Sequence, residues 1–97
     1  MMSSLKPKIH HADVLLRCSK QEHENCAVLR DALMKNFKNV TMAYTTRTDM
    51  DTDYCVSASA IVKDGEITKF KNQLNELKGT GKNKFKVSKV KLFVSKQ

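Results

Sequence analysis

Apolar and polar residues alternate along four segments of the chain, and this period of two predicts four strands. The first strand covers residues 9–18, where the even-numbered positions from 12 onward are apolar. Residues 40–48 and 54–63 alternate in the same way, and residues 84–95 form the fourth segment. Each strand should therefore bury one face and leave the other exposed.

Two segments between these strands have apolar residues at three- and four-residue spacing, which predicts amphipathic helices. In the first helix these residues are Cys26, Leu29, Leu33 and Phe37. Ser19 and Glu22 precede it with the spacing of a capping box, which satisfies free amides of the first turn. In the second helix they are Ile67, Phe70, Leu74 and Leu77, and Gly79 should close it with a left-handed residue.

Two segments leave local questions open. In the last strand Phe85 and Val87 are odd-numbered, whereas the apolar residues from Val90 onward are even-numbered, so a bulge is predicted near Ser88 and Lys89. Asp64-Gly65 ends the third strand but is also a good hairpin turn, so residues 66–71 could form a strand instead of the start of the second helix.

The resulting order, β-α-β-β-α-β, predicts an α+β domain of the ferredoxin-like sandwich class, with both helices on one face of a four-stranded antiparallel sheet. Residues 1–8 should form a flexible N-terminal tail and residues 9–97 a single domain. The order is similar, in topology alone, to small regulatory domains of the ACT kind, and that resemblance implies sheets that pair into dimers. No motif accompanies it, so it implies no site residues.

The exposed sheet face should carry small polar residues: Thr41, Thr45, Ser57 and Ser59. The alternation of residues 40–48 places Val40, Met42 and Tyr44 together on the opposite face. A small, polar, flat face can be hydrated or covered by the sheet of a second copy, so a homodimer is an open alternative.

The distribution of charge changes this picture most. The 97 residues carry 18 Lys and Arg against 10 Asp and Glu, a net charge of +8. Residues 69–97 contain nine lysines and one acid, Glu76, so they account for all of the excess. Lysines spaced along a strand can track a phosphate backbone, and lysine without arginine favours backbone contact over base recognition.

We therefore expect a nucleic acid, or another polyanion, to bind the lysine-rich C-terminal segment. The candidate contacts are Lys82, Lys84, Lys86, Lys89 and Lys91, with Lys69, Lys71 and Lys78. Two other interpretations stay open: a partner with an acidic surface, and lysines that only protect a sheet edge from aggregation.

Two weaker constellations lie where the first strand meets the first helix. Arg17, Ser19 and Lys20 could hold an anion at free amides of the helix N-terminus. Cys18, His23 and Cys26 have soft ligands that suit zinc, but both cysteines fall on predicted core faces and a fourth ligand is not fixed, so we expect no metal. No group orients Cys18 and His23 for nucleophilic attack, so no catalytic residues and no cofactor are expected.

The segment around Pro7 lacks the apolar run of a secretory signal, and no apolar run in the chain is long enough to span a membrane. The three cysteines form no disulfide framework. The expectation is a non-catalytic binding domain in a reducing intracellular compartment, cytoplasm or nucleus, with a sheet-paired regulatory or assembly domain that binds a protein or small ligand as the alternative.

Overall fold

The computed structural model of the chain describes residues 8–19, 23–46, 54–78 and 86–95. Its elements follow the order β1 (Ile9–Cys18), α1 (His23–Asn36), β2 (Val40–Thr45), β3 (Val56–Lys63), α2 (Ile67–Asn75) and β4 (Val87–Val94). A 3-10 turn, Asp64–Glu66, joins β3 to α2. Neither helix in the described part of the chain has the length and apolarity needed to cross a membrane.

The strands form one sheet in the order β2-β3-β1-β4, and every neighbouring pair is antiparallel. The fold is therefore α+β, with a four-stranded antiparallel sheet and two helices, as the alternation and helical spacing predicted. β1 and β3 lie at the centre, paired from Ile9 with Lys63 to Leu16 with Val56. β2 and β4 are the two edges.

One face of the sheet and the apolar sides of both helices form a single core. The strands contribute alternate residues, Ala12, Val14, Leu16, Val56, Ala58, Ala60 and Val62. α1 contributes Cys26, Leu29 and Leu33, and α2 contributes Phe70 and Leu74. The ring of Phe70 packs edge-on against the ring of Phe37, with 6.2 Å between their centroids. The predicted buried sides of both helices are confirmed.

The predicted irregularity in β4 is confirmed. Arg17 pairs with Lys89 but Cys18 pairs with Val87, so Ser88 is an extra residue on β4. The hydroxyl of Ser88 donates to the carbonyl of Arg17 at 3.3 Å. This bulge lets Val87 point into the core although the inward residues that follow have even numbers, because an inserted residue reverses the alternation.

A second bulge, in β2, makes part of the sequence prediction wrong. Val40 pairs with Ala60 but Met42 pairs with Ser59, so Thr41 is an extra residue. Val40 therefore points into the core, while Met42 and Tyr44 point outward and are 59% and 51% exposed. The prediction that all three share a face fails because the alternation is reversed at Thr41. For the same reason Thr45 is not on the exposed sheet face: it pairs with the core residue Val56.

The segment after β3 is helical, so the alternative strand over residues 66–71 is wrong. α2 ends at Asn75, earlier than its apolar pattern indicates, and Leu77 and Lys78 continue as turns whose amides donate to Leu74 and Asn75. Leu77 still packs against the core. Gly79, the predicted end of the helix, lies outside the described residues.

The residues on either side of β1 form hydrogen bonds with distant parts of the chain. The carbonyl of Lys8, in the predicted tail, accepts a hydrogen bond from the amide of Asp64 at 2.9 Å. Ser19 follows β1, and its hydroxyl donates to the carbonyl of Lys86. Glu22, the other half of the predicted capping box, and residues 1–7 lie outside the described part of the chain.

Candidate nucleic-acid interface

No helix or strand in the described part of the chain packs on the face of the sheet opposite the helices. We call it the outer sheet face, and the register assigns it Ile9, His11, Asp13, Leu15 and Arg17 of β1, Met42 and Tyr44 of β2, Ser57, Ser59, Ile61 and Lys63 of β3, and Lys89, Lys91 and Phe93 of β4. Most of these side chains are exposed or half-buried, because both helices pack on the other face.

Two of the predicted lysines lie side by side on this face. Lys89 and Lys91 are exposed residues of β4, opposite Arg17 and Leu15 of β1. The ammonium of Lys91 lies 5.6 Å from the centroid of the Tyr54 ring, which is a cation–π contact. Residues two apart on a strand share a face, and the Cα atoms of Lys89 and Lys91 are about 6.8 Å apart along β4.

Lys86 directly precedes β4 and has an unusual backbone. It is exposed, and its φ of 56° places it in the left-handed region. Its carbonyl accepts hydrogen bonds from the amide of Ser19 at 2.8 Å and from the Ser19 hydroxyl at 3.2 Å. These bonds fix the backbone before β4 against the end of β1.

The other lysines do not join this group. Lys69 and Lys71 are exposed on α2, in the helical layer on the opposite side of the sheet. Lys69 lines an open groove of about 650 Å³ between the end of α1 and α2, together with Lys38, Glu66 and Glu76. The charges of that groove are balanced, so it does not extend the basic surface.

Lys78 has a different position again. It is half-buried, and its backbone pairs with Val87 in an isolated parallel bridge, so it lies beside the start of β4. Lys82 and Lys84 lie outside the described residues. The structure thus brings Lys89 and Lys91 together on one face, with Lys86 at the start of the same strand.

The predicted anion site at Arg17, Ser19 and Lys20 loses one of its groups. The amide and the hydroxyl of Ser19 both donate to the carbonyl of Lys86, so neither is available to an anion in this arrangement. Arg17 lies half-buried on the outer sheet face. Lys20 is outside the described residues.

The cysteines that were weak metal candidates lie in the core. Cys18 and Cys26 are each 1% exposed, and the thiol of Cys55 donates to the sulfur of Cys18 at 3.3 Å. The side chain of His23 is not among those described. Within the described residues, no group of three or more His, Cys, Asp and Glu side chains is arranged to hold a metal ion.

The hydrogen bond between Cys55 and Cys18 affects their titration in opposite directions. The donated proton keeps the pKa of Cys18 below its ordinary value and raises the pKa of Cys55, and burial raises that of Cys55 further. Burial also raises the pKa of Cys26. Buried thiols of this kind behave as small hydrophobic residues.

Exposed aromatic residues are the part of this surface that the sequence pattern missed. Phe93 is 52% exposed on β4 and Tyr44 is 51% exposed on β2, so the two rings lie at opposite edges of the outer sheet face. Phe93 could have been placed from its alternation with Lys89 and Lys91. Tyr44 could not, because its direction depends on the bulge at Thr41.

Comparisons with protein-family models, with curated proteins and with solved structures found no match.

Proposed function

We propose that the protein is a small, non-catalytic domain that binds nucleic acid through the phosphate backbone, with low sequence specificity, at its lysine-rich C-terminal surface. The observation that carries this proposal is the exposure of Lys86, Lys89 and Lys91, for which the structure shows no carboxylate partner within residues 8–19, 23–46, 54–78 and 86–95. The salt-bridge contacts described in this part of the chain, Nε2 of His10 with Asp64 and Arg30 with Asp31, involve none of these three lysines. Their charge is available to an anionic ligand.

The kind of cation supports contact with phosphates rather than with bases. A lysine ammonium is a compact charge, whereas the arginine guanidinium forms the two-pronged hydrogen bonds that recognise guanine. Every basic residue between positions 69 and 97 is a lysine. The surface should therefore bind many sequences with similar affinity.

Salt dependence tests the proposal. Each neutralised phosphate contributes about 0.7 to the slope of log affinity against log salt for a single strand, so removing two contacts lowers the slope by about 1.4. We expect this reduction for Lys89→Gln with Lys91→Gln. The control is the variant Lys35→Gln with Lys38→Gln, which removes the same charge from two exposed residues of the neutral part of the chain. This variant should leave the slope unchanged.

The measurement is fluorescence anisotropy with a labelled oligonucleotide of mixed sequence, titrated between 50 and 200 mM salt. A Lys69→Gln, Lys71→Gln variant in the same series shows whether the helical layer also contacts the ligand. Absence of binding by the unmodified protein at the lowest salt refutes the proposal. The proposal is also refuted if the salt slope falls equally in the Lys89→Gln, Lys91→Gln variant and in the Lys35→Gln, Lys38→Gln variant.

The absence of catalysis is part of the proposal, and the position of Cys18 supports it. Its sulfur is buried and accepts a hydrogen bond from the thiol of Cys55, so it is not placed to attack a substrate. The three buried thiols also support a reducing intracellular compartment, either cytoplasm or nucleus. Any substrate turnover that Cys18→Ala abolishes would contradict this assignment.

We also propose that the fold belongs to the ferredoxin-like class. The order of elements along the chain, β1-α1-β2-β3-α2-β4, supports this classification. The short α2, the 3-10 turn before it and the two bulges are departures from a regular sandwich. An experimental structure tests the assignment through the path of both helices across the sheet.

A homodimer formed through the outer sheet face is a second candidate function, for a regulatory or assembly domain. The observation that favours it is the apolar surface exposed there by Met42, Ile61 and Phe93. Such a dimer should dissociate on dilution and should be disrupted by Ser57→Arg or Ser59→Arg, near the middle of the face. A monomer at all concentrations in light scattering excludes it.

A further inference from the structure

The outer sheet face combines cations with aromatic rings that are open to solvent. Phe93 follows Lys91 and Lys89 on the same side of β4, and Tyr44 lies on the far edge of the same face. Both rings are about half exposed, so their planes are accessible to a ligand. Lysines alone explain a surface that binds phosphate, but they do not explain exposed rings beside them.

We propose that the ligand of the outer sheet face is single-stranded nucleic acid, with an unpaired base stacked on Phe93 and the adjoining backbone held by Lys91 and Lys89. This inference rests on the proposed function and specifies the form of nucleic acid that is bound. Proteins that bind single strands combine a basic groove with aromatic side chains on which bases stack.

The spacing on β4 supports this arrangement. Phe93 and Lys91 are two residues apart on one face of a strand, so their Cα atoms are about 6.8 Å apart. One nucleotide can therefore place its base against the ring while its phosphate lies near the ammonium. A duplex keeps its bases stacked inside the helix, so it could contact the lysines but not the ring face of Phe93.

The charge of the face favours this ligand over a second copy of the chain. Lys63, Lys89, Lys91 and Arg17 all lie on it, against a single acid, Asp13. In a two-fold symmetric dimer the same patch meets itself, so these like charges would be brought together. A polyanion gains from the same charges, and small residues at Ser57 and Ser59 leave room for bases above the central strands.

The test compares a labelled single-stranded oligonucleotide of mixed sequence with its duplex, for the unmodified protein and for Phe93→Leu. Leucine keeps an apolar side chain at this exposed position but removes the ring. Ile61→Ala is the matched control, because Ile61 is an exposed apolar residue of the same face without a ring. Circular dichroism checks that each variant is folded.

We expect the single strand to bind more tightly than the duplex. Phe93→Leu should weaken single-strand binding by about 5- to 150-fold, the range for loss of one stacked base. It should leave the salt slope and duplex binding unchanged, and Ile61→Ala should change neither affinity. The affinities of a Tyr44→Leu variant for single strand and duplex test in the same way whether a base stacks at the β2 edge of the face.

Intrinsic fluorescence supplies an independent measurement. The chain has two tyrosines and no tryptophan, so a Tyr54→Phe variant leaves Tyr44 as the sole emitter. A base stacked on Tyr44 should quench its emission when the single strand is added, and the duplex should not. Unchanged emission at saturation would show that the bound strand does not cross to the β2 edge of this face.

The outcomes separate the inference from the proposed function. If single strand and duplex bind equally and Phe93→Leu changes neither, stacking is refuted while backbone binding stands. If neither form binds, both proposals fail. If Phe93→Leu dissociates a dimer in light scattering and leaves nucleic-acid affinity unchanged, the face belongs to a second copy and the inference is overturned.

Discussion

Replacing Lys86 with glycine should stabilise the protein, whereas replacing Lys89 with glycine should destabilise it. Lys86 adopts a φ of 56°, a region that glycine enters without steric hindrance and lysine does not. Lys89 lies within β4 opposite Arg17 and, unlike Lys86, does not have a positive φ. The two residues are three positions apart and carry the same side chain, so their difference isolates the backbone.

The size of the effect follows from two opposing terms. The left-handed conformation costs an L-residue about 1–2 kcal/mol, which glycine at position 86 recovers. Glycine loses about 0.5–1 kcal/mol more conformational freedom on folding than a residue with a side chain. We therefore expect Lys86→Gly to raise the free energy of unfolding by about 0.5–1 kcal/mol, from the difference between these terms. Lys89→Gly has only the second term and should lower it by about as much.

Urea unfolding at 25 °C, followed by circular dichroism, measures both values, with equal slopes required for the comparison. Lys86→Ala is a further control, because alanine removes the charge but keeps the strain. A loss of stability in Lys86→Gly equal to that in Lys89→Gly would refute the argument that position 86 is strained. If both lysines contact phosphate, both glycine variants should still show a smaller salt slope, so stability and binding would change independently.

Two further predictions concern the core. Leu29→Ala should lower the free energy of unfolding by about 2–5 kcal/mol in a urea titration, because Leu29 is fully buried, whereas Val28→Ala, at a 56% exposed neighbour, should change it by less than about 0.5 kcal/mol. Equal effects of the two would place the core on another side of α1. Cys18, Cys26 and Cys55 should react slowly with a thiol reagent in the native protein and at once in guanidinium chloride, because all three are buried. Rapid labelling of any one of them without denaturant would contradict its burial.

Sequence periodicity predicted the elements and the core well, because the burial of apolar residues that stabilises the fold also requires them at regular spacing along the chain. The inward faces of β1 and β3 and the buried sides of both helices are where the alternation and the helical spacing placed them. The bulge at Ser88 was also predictable, since apolar residues on both sides of it change from odd to even numbers.

The bulge at Thr41 was not predictable by the same means. The residues 40–45, Val-Thr-Met-Ala-Tyr-Thr, alternate regularly between larger apolar and smaller side chains, and nothing in that pattern marks an extra residue. Pairing with β3 decides the register, and the core selects small residues there: Ala43 pairs with Ala58. Periodicity records side-chain type along one strand, and it cannot record how that strand pairs.

The candidate site was predicted in part for a related reason. Net charge along the chain identified the C-terminal lysines, but charge does not say which layer of a fold a residue occupies. Lys69 and Lys71 therefore separate from Lys89 and Lys91, because a helix lies on one side of the sheet and the outward residues of β4 lie on the other.

The extra residue in β2 also bears on how this surface could change between related chains. Because Thr41 is the extra residue, deletion of its codon would leave Met42 opposite Ser59 and Tyr44 opposite Ser57, and both side chains would stay on the outer sheet face. Regular pairing that kept Thr41 would instead place Met42 opposite Ala58, which would turn Met42 and Tyr44 toward the helices and Ala43 outward. In this strand the bulge alone, with no amino-acid substitution, determines whether an aromatic ring lies on the outer sheet face or in the core.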